Sequence, residues 1–175
     1  FIYDLNNNIS LFAQYAEGFR SPDYESANIS FTNFAFRYSV MPNPDLEAEE
    51  SEGYEIGIRG NNSLGNSKLN WSLVYFENDY KDFIETRLTG RSPQGISLYK
   101  YVNLNDVTID GFEFELQAII NDNYSLYLGH TNTEGEENNE ELISIDPDQT
   151  ILGLSWVSDN LSLIHISEPT RLSAI

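Results

Sequence analysis

Apolar and polar residues alternate along several parts of the chain, with the two-residue period of a β-strand that has one apolar face. Residues 9–20 show this pattern most clearly, and residues 51–60 repeat it. The apolar positions of the first stretch are Ile9, Leu11, Ala13, Tyr15 and Phe19. Residues 21–50 lack the period and contain several turn-forming residues. The pattern therefore predicts a strand, a long exposed loop and a second strand.

The same period predicts further strands, with short and long connections alternating between them. The further strands are expected at residues 1–5, 69–88, 99–120, 124–133 and 151–158. Short turns are expected at residues 6–8, 61–68, 121–123 and 159–160, and longer connections at residues 21–50, 89–97 and 134–149. Consecutive strands would then run up and down, with every long connection at the same end.

The stretch 99–120 changes the phase of its alternation near Gly111. Val107 and Ile109 are apolar at odd positions, whereas Phe112 and the apolar residues after it lie at even positions. An extra residue in one strand shifts the phase in this way, and glycine is common at such a bulge. We therefore expect a β-bulge at residues 110–111.

Strands with short turns at one end and long loops at the other are typical of transmembrane β-barrels. Polar residues such as Gln14, Glu55, Arg59 and Glu113 would then face a wide lumen. About seven strands are too few to close around such a lumen. The expected fold is all-β, an antiparallel up-and-down meander that forms an incomplete segment of a large transmembrane β-barrel.

The alternative is a soluble extracellular β-sheet module that acts in binding or adhesion. The two interpretations differ in what the apolar faces contact, which is lipid in the barrel and a second sheet in the soluble module. The soluble module would bury its large apolar residues together in one core, whereas the barrel would leave them exposed. The diagnostic residues are Leu11, Tyr54, Trp71, Phe114 and Trp156.

Composition narrows the possible functions. The formal net charge is −19, from 28 acidic and 9 basic residues, so nucleic acid is an unsuitable partner. The chain has no Cys and only 2 His, and no apolar run approaches the roughly 20 residues of a membrane helix. No nucleophile–base pair or metal-ligand cluster is visible. We therefore expect no catalytic residue, no metal site and no cofactor, and a protein that is not an enzyme.

Two sequence boxes flank the long loop. Residues 15–22 read YAEGFRSP, and residues 43–49 read NPDLEAE. They resemble the paired Gly-Phe-Arg-Ala-Pro and Asn-Pro-x-Leu-x-x-Glu boxes of TonB-dependent outer-membrane receptors, with Ser21 in place of the usual alanine. Residues 54–60, 75–84 and 101–113 are similar to later strands of that family. The motif positions to which we assign structural roles are Gly18, Phe19, Pro22, Asn43, Pro44, Leu46 and Gly111.

The resemblance implies a receptor in the bacterial outer membrane. Its partners would be outer-membrane lipid, an extracellular iron chelate (siderophore) or haem, and the TonB complex, which would act through a plug domain that this sequence does not contain. Family members have a barrel of roughly 22 strands. Residues 1–160 are thus expected to be a fragment from the C-terminal part of such a barrel.

The cargo stays open between a siderophore and haem. In the haem and haemoglobin branch of the family, a histidine between the two boxes ligates haem, and residues 23–42 contain no histidine. Tyr24 or Tyr38 could take its place, although a loop tyrosine is more often a packing residue. Arg20 could contact an anionic ligand, or it could be a lumen-facing charge paired with a carboxylate such as Glu55.

Three remaining features are expected to lie outside any binding site. The acidic runs at residues 47–52 and 134–141 are interpreted as solvated loops, and His130 as an interfacial residue. Residues 161–171, LSLIHISEPTR, resemble the translation of a transposase-type sequencing-library adapter. Residues 161–175 are therefore expected to be a non-native tail, and the alternative is that they begin another strand.

Overall fold

The computed structural model describes residues 1–121, 123–138, 140–142, 144–145, 148–158, 161–166 and 170–171. In chain order its elements are β1 (Ile2–Asn6), β2 (Ile9–Arg20), α1 (Tyr24–Asn28), β3 (Phe31–Asn33), β4 (Tyr38–Met41), β5 (Glu49–Leu64), β6 (Ser67–Lys81), β7 (Phe83–Arg91), β8 (Ser97–Leu104), β9 (Val107–Ile120), β10 (Tyr124–Glu137), β11 (Glu140–Glu141), β12 (Gln149–Ser158), β13 (Leu161–Ile166) and β14 (Thr170–Arg171). Within these residues, no helix has the length and apolar character needed to cross a membrane.

The main sheet is an antiparallel meander. Its strand order is β1-β2-β5-β6-β9-β10-β12-β13, and β11 and β14 pair with β10 and β12. The β5–β6 hairpin turns at Gly65, which has a positive φ of 61°, so the predicted turn at 61–68 is shorter and its strands longer than expected. The predicted turn at residues 159–160 lies outside the described residues. The meander and its unclosed form confirm the predicted fold class.

One face of the main sheet carries rows of apolar residues, and we call it the apolar face. Strand register aligns Trp71, Leu116, Leu128 and Leu152 in one such row. On β9 five successive positions of this face are apolar, from Phe112 to Ile120, which is about 27 Å of strand. Tilted by roughly 40°, that length covers about 20 Å, close to the apolar band of a barrel wall.

The side chains that distinguish the two interpretations are not buried in a common core. Leu11 is 38% exposed and Tyr54 46% exposed, and Trp71, Phe114 and Trp156 are partly exposed. The buried apolar cluster of the described residues lies elsewhere, at the loop end of the sheet. These exposures contradict the soluble module and agree with a lipid-facing wall.

The long connections form a second sheet, which the periodicity did not predict. Its order is β3-β4-β8-β7, and the β4–β8 pair is parallel. The predicted strands 69–88 and 99–120 are each two strands, separated at Asp82 and Asp106, which have positive φ angles of 54° and 52°. The segments on both sides of each break have the two-residue period, because strands of either sheet share it. The period alone therefore did not reveal the breaks.

The predicted bulge at residues 110–111 is wrong. Gly111 pairs with Phe76 on one side and Thr133 on the other, within registers that are continuous along β9. The phase changes because the opposite face becomes apolar near the loop end, where fully buried Val107 packs with Leu104 and Leu142. Gly111 is nevertheless structural. A Cβ there would lie 2.8 Å from the Phe76 ring and would collide with the Asn132 carbonyl.

The acidic run near residue 134 and His130 both lie on β10. The acidic run near residue 134 is not a loop at its start, because β10 continues to Glu137, whose carboxylate is 2.7 Å from the Arg87 guanidinium. His130 is exposed on the apolar face, and its Nδ1 lies 2.9 Å from Thr150 Oγ1.

The backbone of residues 161–166 pairs with β12 as β13. This pairing agrees with the alternative that these residues begin another strand, and the adapter origin of the tail stays a prediction.

Candidate functional site

The loop end of the main sheet holds both sequence boxes, and the second sheet is built there from two connections, residues 21–48 and 82–106. We call the second sheet the loop sheet. The connections join where β4 and β8 pair in parallel from Tyr38–Ser97 to Met41–Lys100. The Ser97 amide also donates to the Arg37 carbonyl at 2.9 Å. Residues more than 50 positions apart in the chain therefore form one folded unit above the main sheet.

Arg20, from the first box, forms an ion pair with Glu49, from the second. The Arg20 Nη2 to Glu49 Oε2 distance is 2.7 Å, and the same oxygen accepts a hydrogen bond from the Ile84 amide at 3.0 Å. Glu49 is buried, at 7% exposure. One of the two predictions for Arg20 was an ion pair with a carboxylate such as Glu55. The partner is Glu49 instead, because strand register places Glu49 opposite Arg20 and Gln14 opposite Glu55. Glu49 thus belongs to a strand and not to a solvated loop.

Replacing Glu49 by Ala is expected to loosen the attachment of β7. The change removes the ion pair and leaves the Ile84 N–H without its acceptor, which costs about 1–3 kcal/mol. Glu49→Gln keeps an acceptor oxygen, and because Arg20 is largely exposed it should cost under about 1 kcal/mol. Hydrogen exchange at the Ile84 amide measures both. Equal losses from Arg20→Ala and Glu49→Ala would contradict the dominant role of the Ile84 contact.

Helix α1 begins at Tyr24, two residues after Pro22. The Asp23 side chain caps it by accepting a hydrogen bond from the Ser26 amide at 2.7 Å. This hydrogen bond holds the pKa of Asp23 below its usual range. Ser26 is buried, and its carbonyl accepts a hydrogen bond from the Asn43 amide at 2.9 Å. The residue that follows the first box thus caps the helix that contacts the second box.

Asn43 fixes the second box to the loop sheet. Its side chain is buried, and Nδ2 donates to the Tyr101 carbonyl of β8 at 2.8 Å. The exposed Pro44 follows, and the amide of Leu46, which is partly buried, lies 3.4 Å from the Asn43 carbonyl. Asn43 thus contacts both α1 and β8, and the structural roles assigned to Asn43, Pro44 and Leu46 stay predictions. Gly18 lies opposite Ser51, whose Oγ fills the space that a side chain at residue 18 would need, and Phe19 is exposed on the apolar face.

Asn103 has a structural role that the sequence motifs did not indicate. Its Nδ2 donates to the carbonyls of Glu47, at 3.0 Å, and Asp82, at 2.7 Å, while its Oδ1 accepts from the Glu47 amide at 2.9 Å. One side chain therefore holds both long connections. Asn103 lies within residues 101–113, which resemble a later strand of the receptor family, and this resemblance was the only sequence signal for it. Its partners, Glu47 and Asp82, are 56 and 21 residues away in sequence.

The two candidate tyrosines differ in their surroundings. Tyr24 is 74% exposed on α1, whereas Tyr38 is half-buried on β4. The Tyr38 ring lies 6.0 Å from the Phe31 ring and 6.4 Å from the Tyr99 ring, in an edge-on arrangement with Tyr99. These three rings share one side of the loop sheet, which we call the aromatic face. It offers contact to a flat, conjugated ligand.

No group of three or more His, Cys, Asp or Glu side chains within the described ranges is arranged to hold a metal ion. An open groove of about 580 Å³ lies at the loop end of the main sheet, at the ends of β2, β5, β6 and β9. Its charged lining residues are mostly acidic, and they include Glu50, Asp79 and Asp106 together with Lys81. The loop end thus combines an acidic groove with an aromatic face.

Comparison with known proteins identifies the architecture. Residues 1–172 match the family described as "TonB dependent receptor-like, beta-barrel". The chain is 32% identical, over 108 residues, to the hemoglobin-haptoglobin utilization protein B of Neisseria meningitidis serogroup A; the match covers 62% of this chain and 13% of that protein. It is 30% identical over 132 residues to the ferripyoverdine receptor of Pseudomonas aeruginosa, covering 74% of this chain and 14% of the receptor.

A solved structure shares the fold. The pyoverdine outer-membrane receptor of P. aeruginosa PAO1, bound to pyoverdine, superposes with a TM-score of 0.62 at 25% identity, over 90% of this chain and 21% of that one. The chain thus spans about an eighth to a fifth of the length of these relatives.

Proposed function

Because the chain belongs to the TonB-dependent receptor family of bacterial outer-membrane β-barrels, we propose that the protein carrying it imports an iron-bearing cargo with energy from the TonB complex. The family consists of transporters and not enzymes. The chain supplies part of the barrel wall and two of the long connections at the loop end. By the usual arrangement of such barrels, these connections face the cell exterior.

Haem is the cargo that the observations favour. Relatives from Neisseria and Haemophilus carry the names of haemoglobin and haemoglobin–haptoglobin receptors. The aromatic face offers Phe31, Tyr38 and Tyr99 to a flat macrocycle. Since residues 23–42 contain no histidine, contact with haem at the loop sheet would come from these rings or from a tyrosine oxygen, which can ligate haem iron. The aromatic face is the single observation that carries the proposal beyond the relatives' names.

A ferric siderophore is the second candidate. The similarity to the ferripyoverdine receptor covers a larger part of this chain than the similarity to the Neisseria protein. Siderophores with aromatic chelating groups would also contact an aromatic face.

Growth on a single iron source tests the proposal. A strain lacking its own receptors and expressing the full-length receptor should grow on haem as sole iron source, and growth should stop when TonB is deleted. Tyr38→Ala should raise the minimal haem concentration that supports growth by up to about tenfold, since an aromatic contact of this kind is worth up to about 1.5 kcal/mol. Growth on ferric pyoverdine with none on haem would select the second candidate, and TonB-independent growth would contradict the transport mechanism.

A further inference from the structure

The turn between β3 and β4 exposes two phenylalanines. Phe34 is 78% exposed and Phe36 is 80% exposed, and they are among the most exposed large apolar side chains described. We call residues 34–37 the hairpin tip. Burying one such ring fully is worth about 2–3 kcal/mol. A pair of rings left in water at the end of an ordered hairpin therefore indicates a contact surface.

The hairpin tip is held in one conformation before any partner arrives. The Phe36 amide donates to Asn33 Oδ1 at 3.1 Å. Arg37 has a positive φ of 54°, its guanidinium donates to the Gln94 carbonyl, and its own carbonyl accepts from the Ser97 amide. A tip fixed by the neighbouring hairpin loses little conformational entropy on binding.

The position of the hairpin tip selects the kind of partner. Ser97, which contacts Arg37, lies seven residues along β8 from Leu104 in the buried cluster, or about 23 Å. The tip is therefore a convex end, far from the main sheet. Small ligands bind in concave sites with polar groups that orient them, and two benzyl groups on a convex end provide neither. Protruding aromatic anchors fit pockets on folded proteins.

Charge at the hairpin tip narrows the partner further. Arg37 belongs to the tip, and Arg91 pairs by register with Ser97, the residue that binds the Arg37 carbonyl. Both arginines are exposed, and among the described residues no carboxylate lies within ion-pair distance of either. The chain as a whole has a net charge of −19. Two phenylalanines with two arginines therefore form a local basic and aromatic patch, the composition that is enriched at binding hot spots.

We propose that the hairpin tip docks a folded carrier protein of the cargo, with Phe34 and Phe36 entering an apolar pocket rimmed by acidic side chains. This inference rests on the proposed function, because it assumes an imported cargo that arrives on a protein. The tip captures the carrier, and the aromatic face and the groove nearer the main sheet receive the cargo after it is released.

The test measures binding of haemoglobin and of the haemoglobin–haptoglobin complex to the full-length receptor. The double variant Phe34→Ala with Phe36→Ala should weaken binding about 30-fold or more, the size of a hot-spot loss. Ile29→Ala is the matched control, because Ile29 is a 48%-exposed apolar residue of the same connection outside the tip. Arg91→Glu should slow association and weaken its dependence on salt. Growth on free haem should be unchanged in all three variants.

Three results would overturn the docking role. Unchanged binding in the double variant would show that the tip is not an anchor. An equal loss of growth on free haem, together with a lower thermal stability, would show that the rings pack against another loop of the same barrel. A wild-type receptor that binds neither protein would contradict docking of a carrier protein. If the strain expressing that receptor still grew on free haem or a ferric chelate, the proposed import function would stand. Failure of the wild type on every iron source would instead reject the proposed function itself.

Discussion

Leu116→Arg should destabilise the barrel by about 2–4 kcal/mol in a lipid bilayer, while Gln117→Arg, one residue further along β9, should change its stability by under about 1 kcal/mol. Leu116 is the middle of the five apolar positions that β9 places on the apolar face. Its register partners on that face are Trp71 and Leu128. An arginine there would carry its charge at mid-depth in hydrocarbon, whereas Gln117 lies on the opposite, polar face.

Urea unfolding of the full-length receptor in phospholipid bilayers measures both variants against the wild type. A detergent micelle is a useful second medium, because its thin and deformable apolar layer should reduce the cost of Leu116→Arg. If both arginines cost the same, or if Gln117→Arg costs more, then the apolar face is not the lipid-facing one. That result would indicate that the apolar rows contact protein, as in the soluble module.

The sequence predicted the wall well, because a wall strand is a local pattern. Alternating apolar and polar side chains specify both the strand and which of its faces is apolar. Asn-rich and Gly-containing turns then fix the short hairpins. The alternation of residues 9–20 and 124–133 needs no knowledge of distant residues. Both stretches accordingly form strands. The first is Ile9–Arg20, as predicted, and the second is Tyr124–Glu137, which is four residues longer than predicted.

The loop sheet could not be predicted in the same way. β3 has 3 residues and β4 has 4, which is too short for a period to stand out. β3 pairs with β4, and the pairing of β4 with β8 is parallel and joins segments more than 50 residues apart. At Val107 and Gly111 the pattern was read correctly but explained wrongly. A change in what packs on one face shifts apolar positions from odd to even just as a bulge does, and only the three-dimensional contacts distinguish the two.

Within the candidate site, sequence motifs located the right segments but not their partners. Pro22, Asn43 and Pro44 were expected to fix the chain where it leaves the sheet. Asn43 contacts Ser26 and Tyr101, and the role itself stays a prediction. The partner of Arg20 was misassigned to Glu55, because the register of β2 against β5 depends on the whole connection between them. Long-range side-chain bonds such as those of Asn103 leave no periodic trace in a single sequence.

Asn103→Ala should release both long connections at once. Its side chain makes three hydrogen bonds, two to the backbone of Glu47 and one to the Asp82 carbonyl. At about 0.5–1.5 kcal/mol for each bond, the loss is about 1.5–4.5 kcal/mol of docking free energy. Asp82 follows the last residue of β6 and has a positive φ, and Glu47 lies near the end of the second box. Loosening this point therefore frees the base of the loop sheet on both sides while the wall strands keep their ladders.

Hydrogen exchange of the full-length receptor in lipid measures this directly. The Glu47 amide and the amides of β4 and β8 should lose protection together in Asn103→Ala, whereas amides in the middle of β9 should keep wild-type protection. Thr86→Ala is the matched control, since Thr86 is an exposed polar residue on the adjacent strand β7. If only the Glu47 amide were deprotected, the two connections would fold independently. Joint deprotection would instead establish that the loops move as one body, so that a ligand contacting either connection acts on both.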